Sequence, residues 1–213
     1  MTYFGKNSPV MGRRSFMAMS VSVIGGGLVA LKAGAARALG TSDAEAFVTE
    51  VLGELRTLVQ NGRGGADGAA EFLKLLEQKA SIDAVGKFAM GRTWNAMSDS
   101  QKAAYQQAFR IYISNTYQNR FGEYAGEDIV VTGSTDAGSK GVLVKSTLKR
   151  PSAEDVDLEW LVSDRGGAVK LSDVIFEGVS LAITLRETFG GMVESRNGDI
   201  DKFIADLGTS KGA

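Results

Sequence analysis

The chain has 213 residues, with 24 Lys+Arg against 25 Asp+Glu, two prolines, 44% hydrophobic residues, and neither cysteine nor histidine. That length suits one domain with a sizeable core, and the balance of apolar and charged residues excludes global disorder. The missing cysteine and histidine exclude disulfides, thiolate or imidazole metal sites, cysteine nucleophiles and a Ser-His-Asp triad.

The first 38 residues contain Lys6, Arg13, Arg14, Lys32 and Arg37 and no acidic residue. A basic start precedes a small and apolar run from Phe16 to Leu31, short for a membrane span. Ala36-Arg37-Ala38 has the small-x-small pattern of a signal-peptidase site. Gly12-Arg13-Arg14-Ser15-Phe16-Met17 resembles a twin-arginine export motif. Residues 1–38 therefore read as a cleavable twin-arginine-type signal peptide, with an uncleaved anchor as the alternative, and residues 39–213 as one domain. Without the leader's five cations, 19 of the 24 basic residues face 25 acidic ones, a net charge of −6. That charge opposes nucleic-acid binding and firm adhesion to an anionic membrane. The expectation is an exported, soluble, periplasmic protein.

Ser42 and Glu45 form a capping-box pattern ahead of a helix with Val48, Val51, Leu52, Leu55 and Leu58 on one face. Asn61-Gly62-Arg63-Gly64-Gly65 ends it; this glycine cluster lacks the Lys-Ser/Thr of a P-loop and reads as a linker. A second helix, over 67–80, carries Phe72, Leu73, Leu75 and Leu76. Short helices and a turn follow between Ser81 and Ser98. Ser98 with Gln101 makes another capping box before the longest helix, about 99–124. Its stripe runs Tyr105, Phe109, Tyr112, Ile113, Tyr117, Phe121 and Tyr124. Such a stripe packs a core, but buried tyrosine hydroxyls need partners, so it also fits a cavity wall with a polar mouth.

From Asp128 the period changes to two. Four strands are expected: Asp128–Gly133, then alternating runs around Val142–Lys149 and Val156–Ser163, then Val169–Phe176. Asp164-Arg165-Gly166-Gly167 joins the last two as a hairpin turn. Short connections make this an antiparallel meander whose apolar face must be covered by helices. Glu177-Gly178 leads into a helix with Leu181, Leu185, Phe189, Met192 and Val193 inward, and Asp199 caps a last helix. The fold class is α+β: a four-stranded antiparallel meander covered on one face by N- and C-terminal helices, enclosing an apolar cavity.

No catalytic or metal constellation emerges. Asp155, Asp157 and Glu159 alternate with apolar residues and line a solvated strand face. Asp173 breaks the alternation of the fourth strand, with Glu177 and Arg186 flanking the turn after it; an ion pair or a cap suits them better than catalysis. The chain is not expected to be an enzyme or to hold a cofactor or metal.

One set of motifs is more specific. Phe88-Ala89-Met90-Gly91-Arg92-Thr93-Trp94 precedes the long helix, which carries Thr116-Tyr117 and Arg120-Phe121. Later comes Asp173-Val174-Ile175-Phe176-Glu177-Gly178-Val179-Ser180-Leu181, then Arg186 and Phe189. In this order they resemble the MlaC / toluene-tolerance family of periplasmic phospholipid-binding proteins over about residues 43–208. Val169 and Thr184-Leu185 depart from the family's pattern, which bears on cavity shape and ligand preference.

The resemblance implies a carrier that holds phospholipid acyl chains between sheet and helices. It would shuttle between an outer-membrane lipoprotein complex and an inner-membrane ABC transporter with its substrate-binding ring, maintaining outer-membrane lipid asymmetry. A hopanoid carrier and a periplasmic adaptor with a solid core are the alternatives. Lining candidates are positions where helices face the sheet: Phe88, Met90, Trp94, Phe109, Tyr112, Ile113 and Tyr117 from the helices, and Val144, Trp160, Val162, Val174 and Val179 from the strand region. Arg92, Arg120 and Arg186 are candidates for a phosphate contact or for structural ion pairs.

Overall fold

The computed structural model describes residues 39–61, 66–121, 128–150 and 153–210, without the side chains of 66–67 and 117–121. The leader, Gly62–Gly65, Tyr124 and the side chains of Tyr117, Arg120 and Phe121 lie outside the described residues. Among the described residues five helices come first: α1 (Thr41–Gln60), α2 (Ala66–Lys79), α3 (Ile82–Met90), α4 (Thr93–Ala96) and α5 (Asp99–Phe121). The strands β1 (Asp128–Asp136), β2 (Val142–Lys149), β3 (Val156–Ser163), β4 (Lys170–Phe176) and β5 (Val179–Ser180) follow, then α6 (Leu181–Glu194) and α7 (Ile200–Thr209).

Local chemistry explains most boundaries. At α5 the box is reciprocal: the Ser98 N–H donates to Gln101 Oε1 at 3.0 Å and the Gln101 N–H to Ser98 Oγ at 3.2 Å. Asp199 accepts from the Lys202 N–H at 3.0 Å and starts α7. The expected box at α1 does not form. That helix begins two residues earlier, with Gly40 as its N-cap, so Ser42 lies inside the first turn; Glu45 instead accepts from the Ser134 hydroxyl at 2.6 Å.

The sheet is an antiparallel meander in the order β1-β2-β3-β4-β5, so the four-stranded expectation is corrected to five. The extra strand arises because Glu177 (φ 48°) and Gly178 (φ 80°) both take positive φ, forming a two-residue hairpin turn that pairs Phe176 with Val179. These residues turn the chain back on itself before α6 starts.

Two hydrophobic clusters result. One lies between the sheet's inner face and α1, built on Ala44, Val48 and Val51 against Val142, Val144, Leu158, Trp160, Val162 and Leu171. The other is helical, with Tyr105, Phe109, Tyr112, Leu185, Phe189, Phe203 and Leu207 at its centre. Tyr105, Phe109 and Tyr112 of the α5 stripe therefore pack helix against helix. Burial pushes the Tyr105 hydroxyl far above the ordinary phenol range, and it donates to the Gly86 carbonyl at 2.8 Å.

Gly86 brings α3 close to α5. A Cβ there would lie 2.8 Å from Phe109 Cδ1 and 3.0 Å from Gln106 Oε1, both on α5. Helix propensity alone would favour alanine by about 1 kcal/mol. The clash decides the sign, because Phe109 is buried and stacked on Tyr105 at 5.9 Å and cannot swing aside. Gly86→Ala is expected to lower stability by about 1–2 kcal/mol, as overpacked cores do. Thermal denaturation beside the wild type checks it.

Candidate functional site

The two clusters meet across an apolar cavity of about 270 Å³. Its wall draws on both: Val51 and Leu55 of α1, Ile82 and Val85 of α3, Phe109 and Ile113 of α5, and Leu181, Ala182 and Leu185 of α6 surround Trp160 of β3. α2 supplies Phe72, Leu75, Leu76 and Lys79, followed by Ala80. The positions Phe72, Leu75, Leu76 and Lys79 follow the i, i+3, i+4, i+7 rule, so one face of α2 covers the cavity.

Strand β4 contributes four consecutive residues, Leu171, Ser172, Asp173 and Val174. A regular strand would offer only alternate ones. The register explains the difference: Leu161 pairs with Asp173 and Val162 with Leu171, so Ser172 is the extra residue of a bulge. Asp173 supports the wall as a cap and not as an ion pair. Its carboxylate accepts from the N–H of Val174 (2.9 Å), the N–H of Ala182 (3.0 Å) and the Ser180 hydroxyl, tying β4 to the first turn of α6. Trp160 is fixed in its turn by an Nε1–H donated to Ser146 Oγ at 2.8 Å.

The rim of α2 is pinned at two points. Lys170 Nζ donates to the Glu77 carbonyl at 2.7 Å and the Ser81 N–H donates to the Leu171 carbonyl at 2.8 Å, which joins the end of α2 to β4. Lys79 Nζ pairs with Glu54 at 2.8 Å and with Glu50, both on α1. That hydrogen bond, reinforced by charge, holds the Glu50 carboxyl below the usual range and, with Glu54, raises Lys79. Glu50's contribution is complete above about pH 4.3, its unfolded value, and is lost as pH falls through the lowered one. Lys79's contribution is complete below about pH 10.4 and is lost as pH climbs through its raised value. A double-mutant cycle with Glu50→Gln and Lys79→Met is expected to show favourable coupling at pH 7 that vanishes once acid protonates Glu50. Coupling that persists there would rule out the ion pair as the link between α1 and α2.

Of the residues expected to line a cavity, Phe109, Ile113, Trp160 and Val174 are on its wall. Met90 and Tyr112 are buried in the helical cluster, and Val144 and Val162 in the sheet cluster. Phe88 is 43% exposed and Val179 60% exposed, and Trp94 is half-buried beside the helical cluster. The Tyr117 side chain lies outside the described residues. Arg92 and Arg186 line a separate groove. The contribution of α2 was missed, although its apolar stripe ending in a lone Lys79 is a signal for a lid edge.

Among the described residues, no group of three or more acidic side chains could hold a metal ion, and no helix is long and apolar enough to cross a membrane. The wall offers hydrophobic contact with a few polar side chains, which suits an apolar ligand.

Comparison with known proteins agrees with that geometry. A family model described as "MlaC protein" matches residues 46–209. The chain belongs to the MlaC family. This MlaC-family chain is 21% identical over 158 residues to the toluene tolerance protein ttg2D of Pseudomonas putida, covering 73% of this chain and 74% of that one. It shares its fold with a phospholipid-binding protein from Ralstonia solanacearum solved in complex with a phospholipid, with a TM-score of 0.63 and 22% identity. That match covers 77% of this chain and 98% of the other.

Proposed function

We propose that this MlaC-family chain is a soluble periplasmic lipid carrier that takes phospholipid acyl chains into the cavity between its two hydrophobic clusters. The observation that carries this reading is the cavity's place: it is walled by the sheet, α1, α2, α3, α5 and α6 together, with polar groups confined to Lys79, Ser172 and Asp173. The family membership and the phospholipid complex of a protein sharing the fold support it.

Magnitudes shape the mechanism. Hiding an acyl chain of about 16 carbons from water is worth roughly 12 kcal/mol at about 0.8 per methylene. A bilayer offers nearly the same gain, so transfer between membrane and carrier is close to neutral. Direction then comes from the partners: an inner-membrane ABC transporter with its substrate-binding ring and an outer-membrane lipoprotein complex, acting together to keep outer-membrane lipids asymmetric. Residues 1–38 would serve as the export signal that brings the protein to the periplasm. Sites for drug-sized ligands span about 300–1,000 Å³, so at about 270 Å³ the cavity must widen for a two-chain lipid. α2 is the element best placed to yield, because it covers the cavity and, although its end is pinned at β4, is tied to α1 through side-chain ion pairs.

Native mass spectrometry of the protein purified from the periplasm without detergent tests the reading. The expected result is a bound mass equal to a two-chain phospholipid. A bare protein mass, unchanged after incubation with phospholipid vesicles, would overturn it.

A further inference from the structure

A second concavity lies on the other side of the α3–α6 pair. Along α3, Ile82 and Val85 face the cavity, while Ala84, Lys87, Phe88 and Gly91 form the i, i+3, i+4, i+7 stripe that lines the groove. On α6, Leu185 faces the cavity and Arg186 the groove, and the two hollows share no lining residue. The groove measures about 400 Å³ and is completed by Arg92, Trp94 and Asn95.

Its construction is specific. Gly91 has φ +55° and ψ −128°, a conformation that side chains other than glycine's rarely adopt. A Cβ there would also lie 3.1 Å from Arg186 Nε, so the bare backbone makes room for that guanidinium. The same guanidinium carbon lies 5.2 Å from the centre of the Phe88 ring. Phe88 remains 43% exposed, so the ring is available to an occupant as well.

The charge here is unbalanced. Several cations elsewhere meet carboxylates: Arg56 with Asp128, Arg110 with Glu77 and Asp83, Lys149 with Asp155, and Arg196 with Asp206. Among the described residues no carboxylate lines the groove or pairs with Lys87, Arg92 or Arg186. Three uncompensated cations beside two aromatic rings, in a stretch 39–213 whose net charge is −6, form a site that wants an anion with an apolar neighbour.

We propose that the Lys87–Arg92–Arg186 groove is a docking site for an acidic segment of a partner protein. Carboxylates match the guanidinium fork, and arginine beside exposed aromatic surface is the composition that concentrates binding energy in protein interfaces. A bilayer fits less well, because the site is concave and the net charge of residues 39–213 repels an anionic surface. The proposal goes beyond lipid carriage and holds whatever the cavity contains.

The test uses a short fluorescein-labelled peptide of Glu and Asp around one Leu and one Phe, read by fluorescence anisotropy against the full chain. Saturable binding, weakened at least about tenfold in Lys87→Gln/Arg92→Gln and by added salt, is expected. Lys145→Gln/Lys202→Gln, two exposed cations elsewhere, should bind as the wild type does. Both variants spare Arg186, whose guanidinium lies against Gly91 and Phe88, and melting curves check that the fold is retained. No peptide binding overturns the proposal, as does equal weakening in the two variants. Binding to phosphatidylglycerol vesicles without binding to the peptide would overturn it in favour of lipid headgroups.

Discussion

Phe189→Ala is expected to cost about 3–5 kcal/mol of folding free energy, the range for emptying a large aromatic site in a packed core. Phe189 is 1% exposed and stands edge-on to four rings: Tyr112 at 5.3 Å, Phe203 at 5.7 Å, Phe109 at 6.0 Å and Tyr105 at 6.3 Å. Truncation removes one partner from each of these contacts at once. It also unhooks α6 from α5 and α7, because those rings sit on the latter two helices. Domains of this size are stable by about 5–15 kcal/mol, so the variant would retain little margin. Urea denaturation followed by circular dichroism measures the loss, and Phe189→Leu should recover part of it by refilling much of the vacated volume. A loss below about 1 kcal/mol would mean that the helical cluster collapses into the vacated space.

The second large effect concerns binding. Under the carrier reading, Val174→Trp is expected to abolish retention of phospholipid while leaving the melting temperature within a few degrees of the ligand-free wild type. Val174 lies on the cavity wall, directly across the strand pair from Trp160, so an indole there enters empty space beside another indole. The same substitution at Val144 has no such room. That residue is 0% exposed in the sheet cluster, so Val144→Trp should destabilise by about 1–3 kcal/mol through overpacking. The pair separates a blocked site from a damaged fold. Full lipid retention in a folded Val174→Trp protein would place the ligand somewhere other than this cavity.

The sequence made the architecture readable where signals are local. Alternation from Asp128 onward revealed the meander, and Ser98–Gln101 and Asp199 marked two helix starts through side chains that reach only three residues ahead. The fifth strand escaped because two residues carry no period; only the paired positive φ values at Glu177 and Gly178 create it. Most of the cavity's wall escaped for a different reason. Four consecutive residues of β4 reach its wall because Ser172 is a bulge, which depends on how β3 pairs and not on composition. Likewise on α5 Ile113 touches the cavity, Tyr105 and Tyr112 meet Phe189 from a helix some 80 residues later, and Phe109 does both. An apolar face is legible in a sequence; what it faces is decided by distant partners.

The division of the interior into two clusters has a thermometric consequence. Under the carrier reading, a molecule bound in the seam between them adds to folding free energy by mass action, about 2.7 kcal/mol at a hundredfold excess over its Kd. A melting curve of this protein would then report the history of the preparation as well as the sequence. Material stripped of ligand and material drawn straight from cells should differ by several degrees, with identical chains. Stability comparisons between variants are meaningful only at equal occupancy, and a simple melting experiment becomes an occupancy meter.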